Sequence, residues 1–302
     1  MRMKHILVVM AAVVLVGCSK DTPETSQDAE AEPQVASKPS PEPTPDPVSP
    51  LDEKLIVEKA VRKSLKKPKG KLTTADLEKV TRLDLSYTEI TDAGLKEVAK
   101  LQQLTHLNLN LTDITDADLK EVAKLQKLEH LSLGGPQITD AGLKEVAKLQ
   151  KLIGLDLGLT KITDAGLKEV AKLQNLSSLN LSGTEITDVA LKEVAKMQKL
   201  TYLNLDLTKI TDAGLKEVAK LQNLIELDLG LNKITDAGLK EAAKLQKLEW
   251  LNLQETQITD AGLKEVAKLH KLEALWLMGT QVTAEGVAEL KKALPNCGIT
   301  GP

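Results

Sequence analysis

Leu200 to Asn223 reads LTYLNLDLTKITDAGLKEVAKLQN, and this stretch decides the fold. Leu203 and Leu205 alternate with polar neighbours, which predicts a short strand with one buried face. Thr211-Asp212 then offers an N-cap and a negative charge at the positive end of a helix. Leu215, Val218 and Leu221 form one apolar stripe on that helix, opposite Lys216, Glu217 and Lys220. The pattern returns at a period of 24: Ile90, Ile114, Ile138, Ile162, Ile186, Ile210, Ile234, Ile258 and Val282 follow one another without an insertion. A strict period of this length predicts a solenoid, in which each repeat buries its aliphatic face against its neighbours. About seven aliphatic side chains per repeat, at roughly 1.5–3 kcal/mol each, make a core that needs no rings. The composition agrees: no Phe, two Tyr and two Trp in 302 residues.

The repeat, L-x-x-L-x-L-x-x-T-x-I-T-D-A-G-L-K-E-V-A-K-L-Q, resembles the leucine-rich repeat in the form common among bacterial extracytoplasmic proteins. The resemblance implies an α/β solenoid, with a parallel β-sheet on the concave face and α-helices on the convex face. Nine repeats would fill residues 80–283. Gly94 and its equivalents read as points of close packing between repeats, because Gly inside a helix otherwise costs up to about 1 kcal/mol. Thr88 and its equivalents read as bonding the backbone in the turn that leaves the strand, with Asn232 in that place once.

Solenoid ends need caps. Residues 51–79 read as a helical N-terminal cap. Leu55, Ile56, Lys59, Ala60, Lys63, Ser64 and Leu65 are taken as one amphipathic helix, ended by Pro68 and Gly70. The following KLTTADL resembles the N-terminal cap of bacterial leucine-rich-repeat proteins. Seven basic residues between Lys59 and Lys71 form a dense positive patch, read as a solvated face, with contact to anionic lipid or phosphate as the functional alternative. Residues 284–302 read as the C-terminal cap, with Cys297 as a small buried apolar residue.

Ahead of the caps lies an address. Arg2 and Lys4 precede an apolar run from Ile6 to Val16, too short for a hydrocarbon core of about 30 Å and suited to a secretory signal. Leu15-Val16-Gly17-Cys18 resembles the lipobox of bacterial lipoproteins. This implies cleavage after residue 17, lipidation of Cys18 and acylation of the new N-terminus. Ser19 then implies sorting to the outer membrane of the cell envelope. Residues 18–50 are a tether carrying eight of the twelve prolines and seven acidic residues, a composition that cannot bury enough apolar surface to fold.

The formal net charge of −3 argues against a nucleic-acid partner, whose binding rests on Lys and Arg neutralising phosphates. The chain holds no G-x-S-x-G, H-E-x-x-H or P-loop lysine motif, so neither an enzyme nor a cofactor is expected. Individuality concentrates at the solvent-facing strand positions. One row runs Arg82, His106, His130, Gly154, Ser178, Tyr202, Glu226, Trp250, Ala274. The next runs Asp84, Asn108, Ser132, Asp156, Asn180, Asn204, Asp228, Asn252, Trp276. His106 and His130 should stack about 4.8 Å apart on adjacent strands. Two imidazoles beside the Arg82 cation fall short of a metal site. Asp206, Glu226 and Asp228 converge as well, with weak calcium binding as the sharper reading. All four aromatics, Tyr87, Tyr202, Trp250 and Trp276, are assigned to this face, which reads as acidic apart from Arg82. Aromatic side chains are enriched at interface hot spots.

These features predict a monomeric, membrane-anchored scaffold that recognises a protein through its concave sheet, at Tyr87, His106, His130, Tyr202, Asp206, Glu226, Asp228, Trp250, Asn252 and Trp276. Tyr202 to Trp276 is the expected hot region. Two rivals stand beside it: glycan binding through Trp250 and Trp276 with Asn252 and Asp228, and a structural spacer with no ligand.

Overall fold

A computed structural model describes residues 49–301. Cys18 and the tether up to residue 48 lie outside the described residues. The chain opens with α1 (Pro50–Ser64) and α2 (Thr74–Leu77). The strands are β1 (Arg82–Asp84), β2 (His106–Asn108), β3 (His130–Ser132), β4 (Gly154–Asp156), β5 (Ser178–Asn180), β6 (Tyr202–Asn204), β7 (Glu226–Asp228), β8 (Trp250–Asn252), β9 (Ala274–Trp276) and β10 (Gly298–Thr300). They form one ten-stranded sheet in sequence order, parallel throughout, with equivalent residues of successive repeats side by side. The outer face carries α3 (Asp92–Val98), α4 (Leu119–Val122), α5 (Leu143–Val146), α6 (Asp164–Val170), α7 (Asp188–Val194), α8 (Asp212–Val218), α9 (Asp236–Ala242), α10 (Asp260–Val266) and α11 (Ala284–Ala293).

One repeat explains the core. Leu200, Leu203, Leu205, Ile210, Leu215, Val218 and Leu221 are each at most 1 % exposed. The helices, of seven residues or fewer in most repeats, are too short to hold alone and form because this stripe is buried. Thr88, Thr112, Thr160, Thr184 and their equivalents donate Oγ1 to the carbonyl three residues back. Asn232 replaces one of them and does more. Its Nδ2 donates to Leu205, Leu229 and Gly230 carbonyls, and its Oδ1 accepts from Thr208 N and Oγ1.

The helix aspartate reaches beyond its own repeat. Asp188 accepts Thr211 N on Oδ1 (2.8 Å) and Thr211 Oγ1 on Oδ2 (2.6 Å), and Thr211 Oγ1 in turn accepts Ala213 N to cap α8. The same grip joins Asp116 to Thr139, Asp140 to Thr163, Asp164 to Thr187, Asp212 to Thr235, Asp236 to Thr259 and Asp260 to Thr283. This is what the helix glycines make room for: a Cβ on Gly214 or Gly238 would collide with the carboxylate of the preceding repeat. The close packing expected at Gly94 and its equivalents is therefore mostly polar. Repeat two shows the alternative. Asp118 stands in the glycine column and binds Thr115 N and Oγ1 itself, which releases Asp92 to pair with Lys96 at 2.6 Å.

At the start of the array, α1 packs on α3 and β1. Its buried stripe is Glu53, Val57 and Val61, while Leu55 is 58 % exposed. The sequence reading placed Leu55 on the apolar side. The helix turns instead to bury Glu53, because the first repeat has no predecessor to supply a carboxylate. Glu53 Oε2 accepts Thr91 N and Gly94 N (both 2.8 Å), and Oε1 accepts Thr91 Oγ1 (2.7 Å). At the other end α11 buries Val287 and Leu290, and β10 extends the sheet. Cys297 is buried and free, and burial pushes its thiol up.

Candidate functional site

The sheet's outward rows have an N-terminal half, β1 to β4, and a C-terminal half, β6 to β9. In the C-terminal half, Tyr202, Glu226, Trp250 and Ala274 lie in register on β6 to β9, with Asn204, Asp228, Asn252 and Trp276 in the adjoining row. Trp250 and Trp276 meet diagonally across the small Ala274, with ring centroids 5.3 Å apart and planes inclined at 35°. Trp250 is exposed and Trp276 half-buried. Tyr202 is half-buried rather than solvent-facing: its hydroxyl bonds Asn204, and burial pushes the phenol up to about 12.

Asp228 is held by Gly230 N (3.0 Å) and by Asn252, although burial still raises its carboxyl. The Asp206 carboxylate accepts no hydrogen bond among the described residues. Burial, and then the Asp228 charge, push it up to about 6. Asp206 and Asp228 thus share one patch, with Glu226 at the register position beside Tyr202 and Trp250. Among the described residues no group of three or more His, Cys, Asp or Glu side chains is arranged to hold a metal ion, so the calcium reading of Asp206, Glu226 and Asp228 has no geometry behind it.

In the N-terminal half His106 and His130 are stacked, with centroids 4.4 Å apart and planes at 22°. Gly154 leaves the space that the His130 ring fills. Arg82 is the one Lys or Arg in the strand rows, and the caps add cations beside it. The caps deliver Lys63 and Lys79 to the rim of a cleft of about 610 Å³ that also exposes Arg82, Asp84, His106 and His130.

The structure adds a column that sequence reasoning missed. Tyr87, Leu111, Gly135, Leu159, Gly183, Leu207, Leu231, Glu255 and Gly279 stand 24 residues apart, and every one has a positive φ. Their N–H groups bond the next repeat, as from Leu207 to Gly230 O and from Leu231 to Gln254 O, so the column continues the ladder along the sheet's edge. Five members are large apolar residues in solvent: Tyr87 (78 % exposed), Leu111 (41 %), Leu159 (55 %), Leu207 (52 %) and Leu231 (48 %). Left-handed backbone costs a non-glycine residue about 1 kcal/mol. Glycine fills the column three times without that cost, whereas leucine carries it four times. Tyr87 belongs to this column rather than to the strand rows.

Comparison with known proteins agrees with the architecture. Residues 198–258 match a family described as leucine rich repeat. A second family of the same description matches residues 77–99, 100–123, 124–147, 148–171 and 172–195. The chain is a leucine-rich-repeat protein. The structure of an internalin (inlF) from Listeria monocytogenes superposes with a TM-score of 0.53 at 23% identity, covering 82% of this chain and 90% of that one. An internalin C2 from the same organism gives 0.47 at 26% identity, covering 81% of this chain and 92% of that one. The first of these is a likeness of fold. No curated protein matches the chain.

Proposed function

We propose that this protein is a recognition scaffold that binds a protein partner through the concave sheet and its leucine column, and that it performs no catalysis. The column carries the reading. Four leucines and a tyrosine are held in solvent on backbone that disfavours them, an arrangement that a lone folding requirement would replace with glycine. The same half of the sheet carries Asp206, Asp228, Glu226 and the Trp250–Trp276 pair. A partner with apolar side chains flanked by Lys or Arg complements that surface in both shape and charge. The lipobox reading belongs to the same proposal: Cys18 carries lipid, and the tether holds the repeats off a bacterial envelope membrane.

A crosslinking pull-down from solubilised envelope tests the reading. The full chain is compared with a Trp250→Ala, Trp276→Ala variant and a Leu207→Gly, Leu231→Gly variant, each with an unchanged melting temperature. A protein captured by the parent and lost by both variants supports recognition. Capture that soluble sugar abolishes would favour the glycan reading, and identical capture by all three would favour the spacer.

A further inference from the structure

The cleft at the N-terminal end of the sheet has a charge pattern unlike the rest of the protein. Two cap cations point away into ion pairs, Arg62 with Glu58 at 2.8 Å and Lys67 with Asp76 at 2.7 Å. The three fixed cations that line the cleft, Lys63, Lys79 and Arg82, have no ion pair among the described residues. One carboxylate faces them, Asp84, and its Oδ1 is already occupied by Ser86 N and Oγ. Three separate elements supply the cations, namely α1, the segment after α2, and β1. The bond from Ser64 Oγ to Arg82 O (2.7 Å) fixes α1 against β1. The cleft is therefore preformed.

The histidines add a proton-controlled donor. Thr105 Oγ1 lies 3.0 Å from Thr81 O and 2.8 Å from His106 Nδ1; in the tautomer where it gives its one proton to Thr81 O, it accepts from Nδ1. Nε2 of neutral His106 is then the bare nitrogen, and it has no partner among the described residues. A proton taken up there makes a charged donor in a cleft that already holds three cations. Burial, then Arg82 and His130, keep His106 below its ordinary value, against a smaller opposite pull from Glu129. A bound anion reverses the first of those charge effects.

We propose that this cleft is a binding site for a tetrahedral dianion of the phosphate-monoester class, held by Lys63, Lys79 and Arg82, with His106 as a fourth donor when protonated. Arg supplies a planar fork for two oxygens and the lysines supply point charges, the combination that suits a tetrahedral oxyanion. The site lies at the opposite end of the sheet from the Trp250–Trp276 pair, so it does not depend on the recognition reading.

The probe is sodium sulfate, whose charge stays constant across the range in which histidine titrates, added to the full-length chain in a calorimeter at low ionic strength. Sulfate should bind, and a Lys63→Gln, Arg82→Gln variant should bind roughly tenfold more weakly or worse. A Lys59→Gln, Lys66→Gln variant, altered outside the cleft, should bind as the parent does. Affinity in the parent should fall from about pH 5.5 to about pH 7.5, and His106→Asn should flatten that fall. Absence of sulfate binding, or equal loss in both lysine-containing variants, would overturn the proposal. Vesicles containing phosphatidic acid distinguish the source. Vesicle binding displaced by sulfate assigns the anion to a lipid headgroup, and sulfate binding without vesicle binding assigns it to a soluble ester. Vesicle binding without sulfate binding would overturn the cleft in favour of a diffuse membrane-facing surface.

Discussion

Glu53 holds Thr91 through both carboxylate oxygens, as Asp188 holds Thr211. A side chain one methylene longer, offered by α1, reproduces the joint that the repeats from Thr139 onward receive from their predecessors. Glu53→Ala leaves Thr91 N, Thr91 Oγ1 and the buried Gly94 N without their acceptor. Each unsatisfied buried donor costs about 1–3 kcal/mol, so a local loss of about 3 kcal/mol is expected. Repeats contact mainly their neighbours, and the damage should stay at that end. Amide exchange should accelerate in α1 and α3 and stay unchanged in α9. Uniform acceleration along the chain would contradict this account.

Two aspartates at the same repeat position should behave differently. Asp212 joins α8 to Thr235, whereas Asp92 pairs only with the exposed Lys96. Both sit in the first turn of a helix, so the dipole contribution cancels in the comparison. Asp212→Ala should cost about 1–2 kcal/mol and Asp92→Ala about 0.5 kcal/mol or less. Chemical denaturation of the two variants decides it, and equal losses would mean that the grip across repeats contributes nothing.

Asp206 makes the protein less stable as it ionises. Its carboxyl is raised from the ordinary 3.8 to about 6, so folding favours the protonated form. Its stabilising effect is complete below the unfolded value and is lost as pH rises through about 6. Solvent reaches the group, which reduces the neutral-pH penalty to about 1 kcal/mol. Asp206→Asn should therefore raise the melting temperature at neutral pH and lose that advantage as pH falls towards the ordinary carboxylate range. Asn110, at the equivalent position, shows that an amide fits there: its Oδ1 accepts Gly134 N and its Nδ2 donates to Asp156. A constant difference between the two proteins across that range would refute the assignment.

The leucine column predicts a trade of stability against binding. Leu207→Gly and Leu231→Gly relieve positive φ and remove exposed apolar surface. Each should leave the melting temperature unchanged or raise it, by up to about 1 kcal/mol per site before the added freedom of the unfolded chain is subtracted. A marked drop in melting temperature would show that these side chains serve the fold.

The repeat, its strand rows and the histidine stack were legible because a strict period and two-residue alternation fix which side chains share a face. The leucine column was not. A leucine beside a strand in a leucine-rich repeat reads as core, and the sign of φ is not written in a leucine. The signal lay in Gly135, Gly183 and Gly279, which share the column and mark it as left-handed. Glu53 was hidden for a related reason. Charge argues for the surface, and only the position of Val57 and Val61 one and two turns later reveals the stripe it joins. The basic cleft escaped because Lys63 and Arg82 come from separate elements whose mutual approach is a property of packing.

The grip between aspartate and threonine also bears on how such a chain changes length. A unit of 24 residues cut from anywhere between Thr139 and Thr283 brings a threonine for the unit before it and an aspartate for the unit after it. Unequal recombination between two copies of the coding repeat therefore yields a longer or shorter protein with every joint already made. Growth by duplication is free along that stretch and not at the first joint, where Glu53 has no copy, or the second, where Asp118 serves its own repeat.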